Sequence, residues 1–211
     1  MADWVLAAER AYVAAAVGGQ VPARDVPEAR GNPSGSDADR PGSEAATTEL
    51  RSRMIAAAGA VASRYLAVGT PRSFGILIDA VAEVDAAALS LTAHRTWFAP
   101  RDIRCAATGT GAPELAAATG GRVVSIDEAL ACDIVNVYSR RVRITPAQLR
   151  RGTHVNAVAA DVLDPELLAL ATVVHEAGLP ALAAGLVDGR QLDERTIFTI
   201  DGAPIAAARP A

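Results

Sequence analysis

From residue 74 onward the chain alternates between short apolar runs and alanine- and leucine-rich helical stretches, an order that few folds accommodate. The apolar runs lie at 74–78, 102–106, 122–126, 133–138, 154–159 and 172–175. Several are apolar almost without interruption, as strands become when helices cover both faces of their sheet. Helical stretches such as 81–92 and 113–118 separate most of them. This alternation predicts an α/β fold with a doubly wound, mostly parallel sheet. No internal repeat competes with that reading.

Ahead of the sheet the pattern changes. Residues 3–17 carry apolar side chains at helical spacing, with Gly18 and Gly19 as the stop. Residues 31–43 are rich in Gly, Pro, Ser and Asp with no hydrophobic period, which predicts a flexible linker. Thr47 or Thr48 then reads as the cap of a long helix running to about Leu66.

Composition narrows the function classes. A chain of 211 residues fits one sizeable domain, alone or with a small appendage. Net charge is -4 and the pI about 5.4, so neither nucleic acid nor an anionic membrane is an expected partner. Every basic residue is arginine. The absence of lysine removes Schiff-base and lysine-acid mechanisms. Cys105 and Cys132 lack metal-ligand spacing and read as small buried hydrophobes in a reducing cytosol. The opening residues are acidic rather than basic, unlike a secretory signal, and no apolar run reaches about 18 residues. A soluble, cytoplasmic protein is expected.

The turn after the first strand is the most informative site. A dinucleotide-binding unit needs Gly-x-Gly-x-x-Gly/Ala there, so that backbone can approach a pyrophosphate at a helix N-terminus. Here Ile78 and Ala80 are read in the places of the first two glycines, with the Asp79 carboxylate between them. The second strand runs into Ala107 and Thr108, without the acidic residue that would meet the adenosine ribose.

Other constellations are weaker. Gly109-Thr110-Gly111 suits a phosphate loop or a plain turn, and the run 140–143 suits an anion site or a solvated edge. Ser139 lacks a nucleophile elbow and reads as a polar loop residue. His94, His154 and His175 are scattered, without zinc-ligand spacing.

Several stretches together resemble the ornithine cyclodeaminase/mu-crystallin family. They are Ala8 to Arg24 with its Gly19-Gln20-Val21-Pro22-Ala23-Arg24, Thr47-Thr48-Glu49-Leu50-Arg51, the stretch from Ile144 to Asp161, and Gly189-Arg190 followed by Asp193-Glu194-Arg195-Thr196-Ile197-Phe198. The resemblance implies a Rossmann domain, a separate substrate and dimerisation domain, NAD(P), and chemistry on an amino or imino acid. Against that pattern the glycine loop is missing, the linker stands where most of the substrate domain belongs, and the family's active-site lysine has no counterpart. The expected organisation is an N-terminal helix in 1–30, a linker in 31–45 and a connecting helix in 46–72. A degenerate Rossmann-like domain follows in 73–176, and a C-terminal segment in 177–211 returns to the N-terminal helices.

Three residues fall on the family's functional positions. Arg24 and Arg51 match arginines near the substrate carboxylate, and Asp161 matches the catalytic aspartate. Each also has a plainer reading: Arg24 as a solvated residue after the helix, Arg51 as a first-turn residue kept for packing or an ion pair, and Asp161 as a cap for the helix at 165–170 or for the loop leading to it. The expectation is a pseudoenzyme or accessory partner without a cofactor, pairing with itself or with a full-length paralogue. The alternative is an enzyme of altered chemistry on a small amino or imino acid, with NAD(P) if the altered site still functions.

Overall fold

The computed structural model describes residues 2–16, 41–180 and 195–199. Seven strands form one sheet: β1 (Ser73–Ile78), β2 (Asp102–Ala107), β3 (Arg122–Val123), β4 (Ile134–Val137), β5 (His154–Ala157), β6 (Ala171–His175) and β7 (Arg195–Thr199). Their order is β3-β2-β1-β4-β5-β7-β6, and every neighbouring pair is parallel. Helices α1 (Asp3–Ala16), α2 (Pro41–Leu66), α3 (Val84–His94) and α4 (Ala112–Thr119) precede α5 (Ile126–Leu130) and α6 (Pro165–Leu170). The doubly wound α/β architecture expected from the alternation is present.

Side-chain alternation along the strands assigns the layers. Phe74, Ile76 and Ile78 of β1 point to one face, with Val84, Ala87 and Leu91 of α3 and Leu115 of α4. Leu77, Val135, Val137 and Val155 point to the other, against Ala129 and Leu130 of α5 and Leu167 of α6. Gly75 is required on that second face, because a Cβ there would lie 2.0 Å from the carbonyl oxygen of Ala129. Phe74 is fully buried, a burial that contributes on the order of 2–3 kcal/mol.

α2 lies over the β5 and β7 side of the first face. Every residue from Ala56 to Ser63 is buried, as expected of a helix covered on all sides. α1 and α3 enclose it from outside, while Phe198 of β7 packs against Ala58, Val61 and Ala62 from below. Small side chains on α2 permit this close approach.

Four expectations need correction. α2 begins at Pro41, so Thr47 and Thr48 lie inside it, and residues 41–45 belong to the helix rather than to a linker. Proline suits a first turn because its missing N–H is one that the helix would leave unpaired anyway. β3 stops at Val123, since Ser125 caps α5 in a capping box with Glu128. The sheet also continues past residue 176: β7, from the stretch read as a returning C-terminal segment, inserts between β5 and β6. Finally, the cap of α6 is Asp164, which accepts from the Glu166 N–H, and not Asp161. The remainder of the expected linker, residues 31–40, lies outside the described residues, as does Arg24.

Candidate functional site

Open parallel sheets place ligands at the C-terminal ends of their strands, where the strand order reverses direction. Here that point lies between β1 and β4, at the residues following Ile78, Ala107 and Val137. β1 runs through Ile78, which is fully buried in the core. The turn therefore starts one residue later than the sequence suggested. The three glycine positions of a dinucleotide loop, counted from the end of the strand, fall on Asp79, Val81 and Val84 rather than on Ile78 and Ala80.

Asp79 organises this edge. Its Oδ1 accepts hydrogen bonds from the Thr108 and Ser139 hydroxyls, both at 2.5 Å, and its Oδ2 accepts from the Arg140 backbone N–H at 2.8 Å. The Ser139 Oγ in turn accepts from the N–H groups of Arg141 and Val142 at 3.2 Å. One carboxylate thus joins the ends of β1, β2 and β4. Partial burial works against its charge, but the bonds from Ser139, Thr108 and Arg140 and the nearby Arg141 outweigh that. The carboxyl is held below its ordinary pKa of 3.8.

The loop after β2 closes over the same turn. A Cβ at Gly109 would lie 2.7 Å from the Asp79 carbonyl oxygen. Gly111 has φ +105°, and its Cβ would meet the Val81 nitrogen at 2.9 Å. These glycines allow close contact between two loops of the chain. Three donors at this edge face Asp79, the Thr108 and Ser139 hydroxyls and the Arg140 N–H, and no acidic residue ends β2. None of the three glycine positions carries glycine.

Of the three candidate residues from the sequence, Asp161 and Arg51 lie among the described residues. Asp161 lies in a 3₁₀ turn, Ala160–Val162, four residues beyond β5, with its side chain exposed. Arg51 is exposed on α2. Neither makes a hydrogen bond or ion pair among the described residues. In the run 140–143, Arg143 pairs with Asp164 at 2.9 Å and Val142 is buried.

The structure brings together residues that the sequence left scattered. His154 bonds Thr196 at 2.8 Å and Asn156 at 3.0 Å, and Asn156 reaches Asn136 and Ser63 at 2.8 Å. Ser63 then meets His94 at 2.9 Å. All six are buried where α2 and α3 meet the sheet. Burial pushes His94 down to about 4, and burial, with repulsion between the two protonated rings, pushes His154 down to about 3. Both are neutral imidazoles at pH 7, holding α2 onto β4, β5 and β7. The signal was His154 and Asn156 at i and i+2, polar on one face of an otherwise apolar strand. The Asn136 Nδ2 lacks a partner and borders a cavity of about 10 Å³, space for a single water. Among the described residues no acidic, His or Cys group clusters as a metal site would require, and no helix is long and apolar enough to cross a membrane.

Comparison with solved structures identifies the architecture. An archaeal NAD-bound alanine dehydrogenase dimer matches with a TM-score of 0.60 and 24% identity, over 73% of this chain and 58% of that one. The fold is Rossmann-like. The Thermococcus litoralis Δ1-pyrroline-2-carboxylate reductase with NADH and L-proline gives 0.58 and 21%, over 72% of this chain and 58% of that one. A probable ornithine cyclodeaminase from Bordetella pertussis Tohama I gives 0.58 and 20%, over 71% and 60%. The resemblance read from the sequence thus has structural counterparts among cyclodeaminases and NAD-dependent reductases. The chain spans about three fifths of the length of these neighbours. No family model matches it, and no curated protein matches it.

Proposed function

We propose that this protein is a non-catalytic relative of the amino-acid reductases and cyclodeaminases, without NAD(P), that works by binding a protein partner. One observation carries the reading: the Asp79 carboxylate occupies the hydrogen-bond donors at the strand-order reversal. A pyrophosphate there would have to displace a bonded anion, and a retained anion would repel it. Val81 and Val84 in glycine positions, and Ala107 and Thr108 where a ribose-binding acid belongs, point the same way.

Calorimetric titration with NAD+, NADH, NADP+ and NADPH tests the first half. The expected result is no saturable heat, and a dissociation constant in the low micromolar range for any of the four overturns it. For the second half, the partner is a second copy or a full-length paralogue, and cytoplasm is the compartment in which it would be met.

A second reading rests on Asp161, whose exposed carboxylate stands beyond β5 at the ligand-binding edge of the sheet. In that reading Asp161 moves a proton on a small amino or imino acid whose carboxylate Arg24 and Arg51 hold. Asp161→Asn and Arg51→Ala separate the two: loss of function in both with folding intact favours the enzyme, and no effect in either favours the binding protein.

A further inference from the structure

At the opposite edge of the sheet, the connections into β1 and β2 enclose a second concave surface. Residues 67–72 and 95–101 bound a cleft of about 400 Å³, lined by Gly69, Thr70, Arg72, Trp97, Phe98 and Arg101 among others. That volume lies in the range of small-molecule sites. The Arg101 N–H donates to the Arg72 carbonyl at 2.8 Å, and the Asp102 N–H donates to it at 3.2 Å. The two arginines are therefore fastened side by side through their backbones.

Two cations held together are ordinarily relieved by a carboxylate, but the nearby carboxylates are engaged. Asp102 pairs with Arg104 at 2.7 Å and Arg122 at 3.2 Å. Asp133 accepts from the Arg72 and Ser73 N–H groups at 2.9 Å and faces Arg150 at 3.7 Å. Neither the Arg72 nor the Arg101 guanidinium makes an ion pair among the described residues. The aromatic wall beside them is fixed from behind. The Phe98 ring lies 6.0 Å from Phe74 and 6.3 Å from His94, and the Arg64 guanidinium lies 5.1 Å from the Trp97 ring.

We propose that this cleft binds a small organic anion, a carboxylate or phosphate carried on an aromatic body. The acid group meets the forks of Arg72 and Arg101, which match carboxylate and phosphate geometry. The ring lies against Trp97 and Phe98 in an offset or edge-on contact. The site is independent of nucleotide binding, since Asp79 and its partners lie at the other edge.

Trp4 and Trp97 are the only tryptophans, so Trp97 is the sole indole reporter in Trp4→Phe. That variant is titrated, in phosphate-free buffer, with benzoate, phenyl phosphate and neutral benzyl alcohol. Benzoate, phenyl phosphate or both should change Trp97 emission saturably at millimolar concentrations, with affinity falling as salt is raised, while benzyl alcohol should not. Adding Arg72→Ala or Arg101→Ala should weaken binding at least about tenfold, the scale of a lost charge-assisted bond. Calorimetry on the protein with both tryptophans gives the same comparison if Trp4→Phe fails to fold. Absence of saturable binding by either aryl anion, equal binding of benzyl alcohol, or affinity unchanged in both arginine variants would overturn the proposal.

Discussion

The two ends of β1 carry the same kind of lock in opposite surroundings. At its start, the Asp133 carboxylate accepts from the backbone N–H groups of Arg72 and Ser73, while the Asp133 N–H donates to the Ser73 hydroxyl. At its end, the Asp79 carboxylate accepts from Thr108, Ser139 and Arg140. Asp133 accepts from backbone donors and faces the Arg150 guanidinium, while the Arg72 guanidinium makes no ion pair among the described residues. Asp79 uses two hydroxyls and one backbone N–H at the edge where open parallel sheets place ligands. At that edge a carboxylate of the chain engages these donors, and at the opposite edge Arg72 and Arg101 make no ion pair among the described residues. A shared scaffold therefore does not fix where a ligand binds; the distribution of donors does.

The same substitution at the two ends should give unequal effects. Gly111→Ala should cost about 3 kcal/mol, because strain at positive φ adds to a clash with the Val81 backbone. Gly69→Ala, also at positive φ (+68°) but with open space around its Cβ position, should cost only about 1 kcal/mol. Chemical denaturation of both variants measures the difference, and equal costs would break the contrast between a crowded edge and an open one.

Asp79→Asn should destabilise by about 1–2 kcal/mol at pH 7, the lower part of the range for charge-assisted bonds because solvent reaches the carboxylate. The sign with pH follows from its depressed pKa. A carboxyl whose pKa is lower folded than unfolded contributes fully above its unfolded value and loses that contribution as pH falls through the folded one. The gap between wild type and variant should therefore be flat from about pH 5 to 8 and shrink below about pH 4. A gap that persists undiminished in acid would assign the loss to shape rather than charge.

Arg72→Ala and Arg101→Ala should fall within about 0.5 kcal/mol of wild type in thermal or chemical denaturation, as exposed side chains without ion pairs do. A larger loss in either would mean that the guanidinium is already engaged, and would remove the asymmetry between the two ends.

The sheet was largely legible in the sequence because its strands are buried on both faces, which makes apolar runs such as Phe74–Ile78 unmistakable. β7 was not. Only Ile197 and Phe198 are apolar in Arg195–Thr199, and its buried threonines are satisfied by His154, His175 and the Leu66 carbonyl, which no local pattern reveals. The loss of glycines after β1 was visible, whereas its register depended on where the strand ended. That the Asp79 carboxylate joins three strand ends was invisible, since Thr108 and Ser139 come from two other strand ends, 29 and 60 residues away. Residue identity at Asp161 and Arg51 suggested chemistry; the structure shows both side chains exposed, one in a 3₁₀ turn and one on α2.

The central claim, that the anion position at the end of β1 is filled by Asp79, is tested most directly by amide NMR during titration with NADH. The expected result is that the amide signals of Asp79, Gly109, Ser139 and Arg140 stay fixed at millimolar NADH, with any changes confined to the cleft of Arg72 and Arg101. Saturable shifts centred on Asp79, Gly109, Ser139 and Arg140 would contradict it.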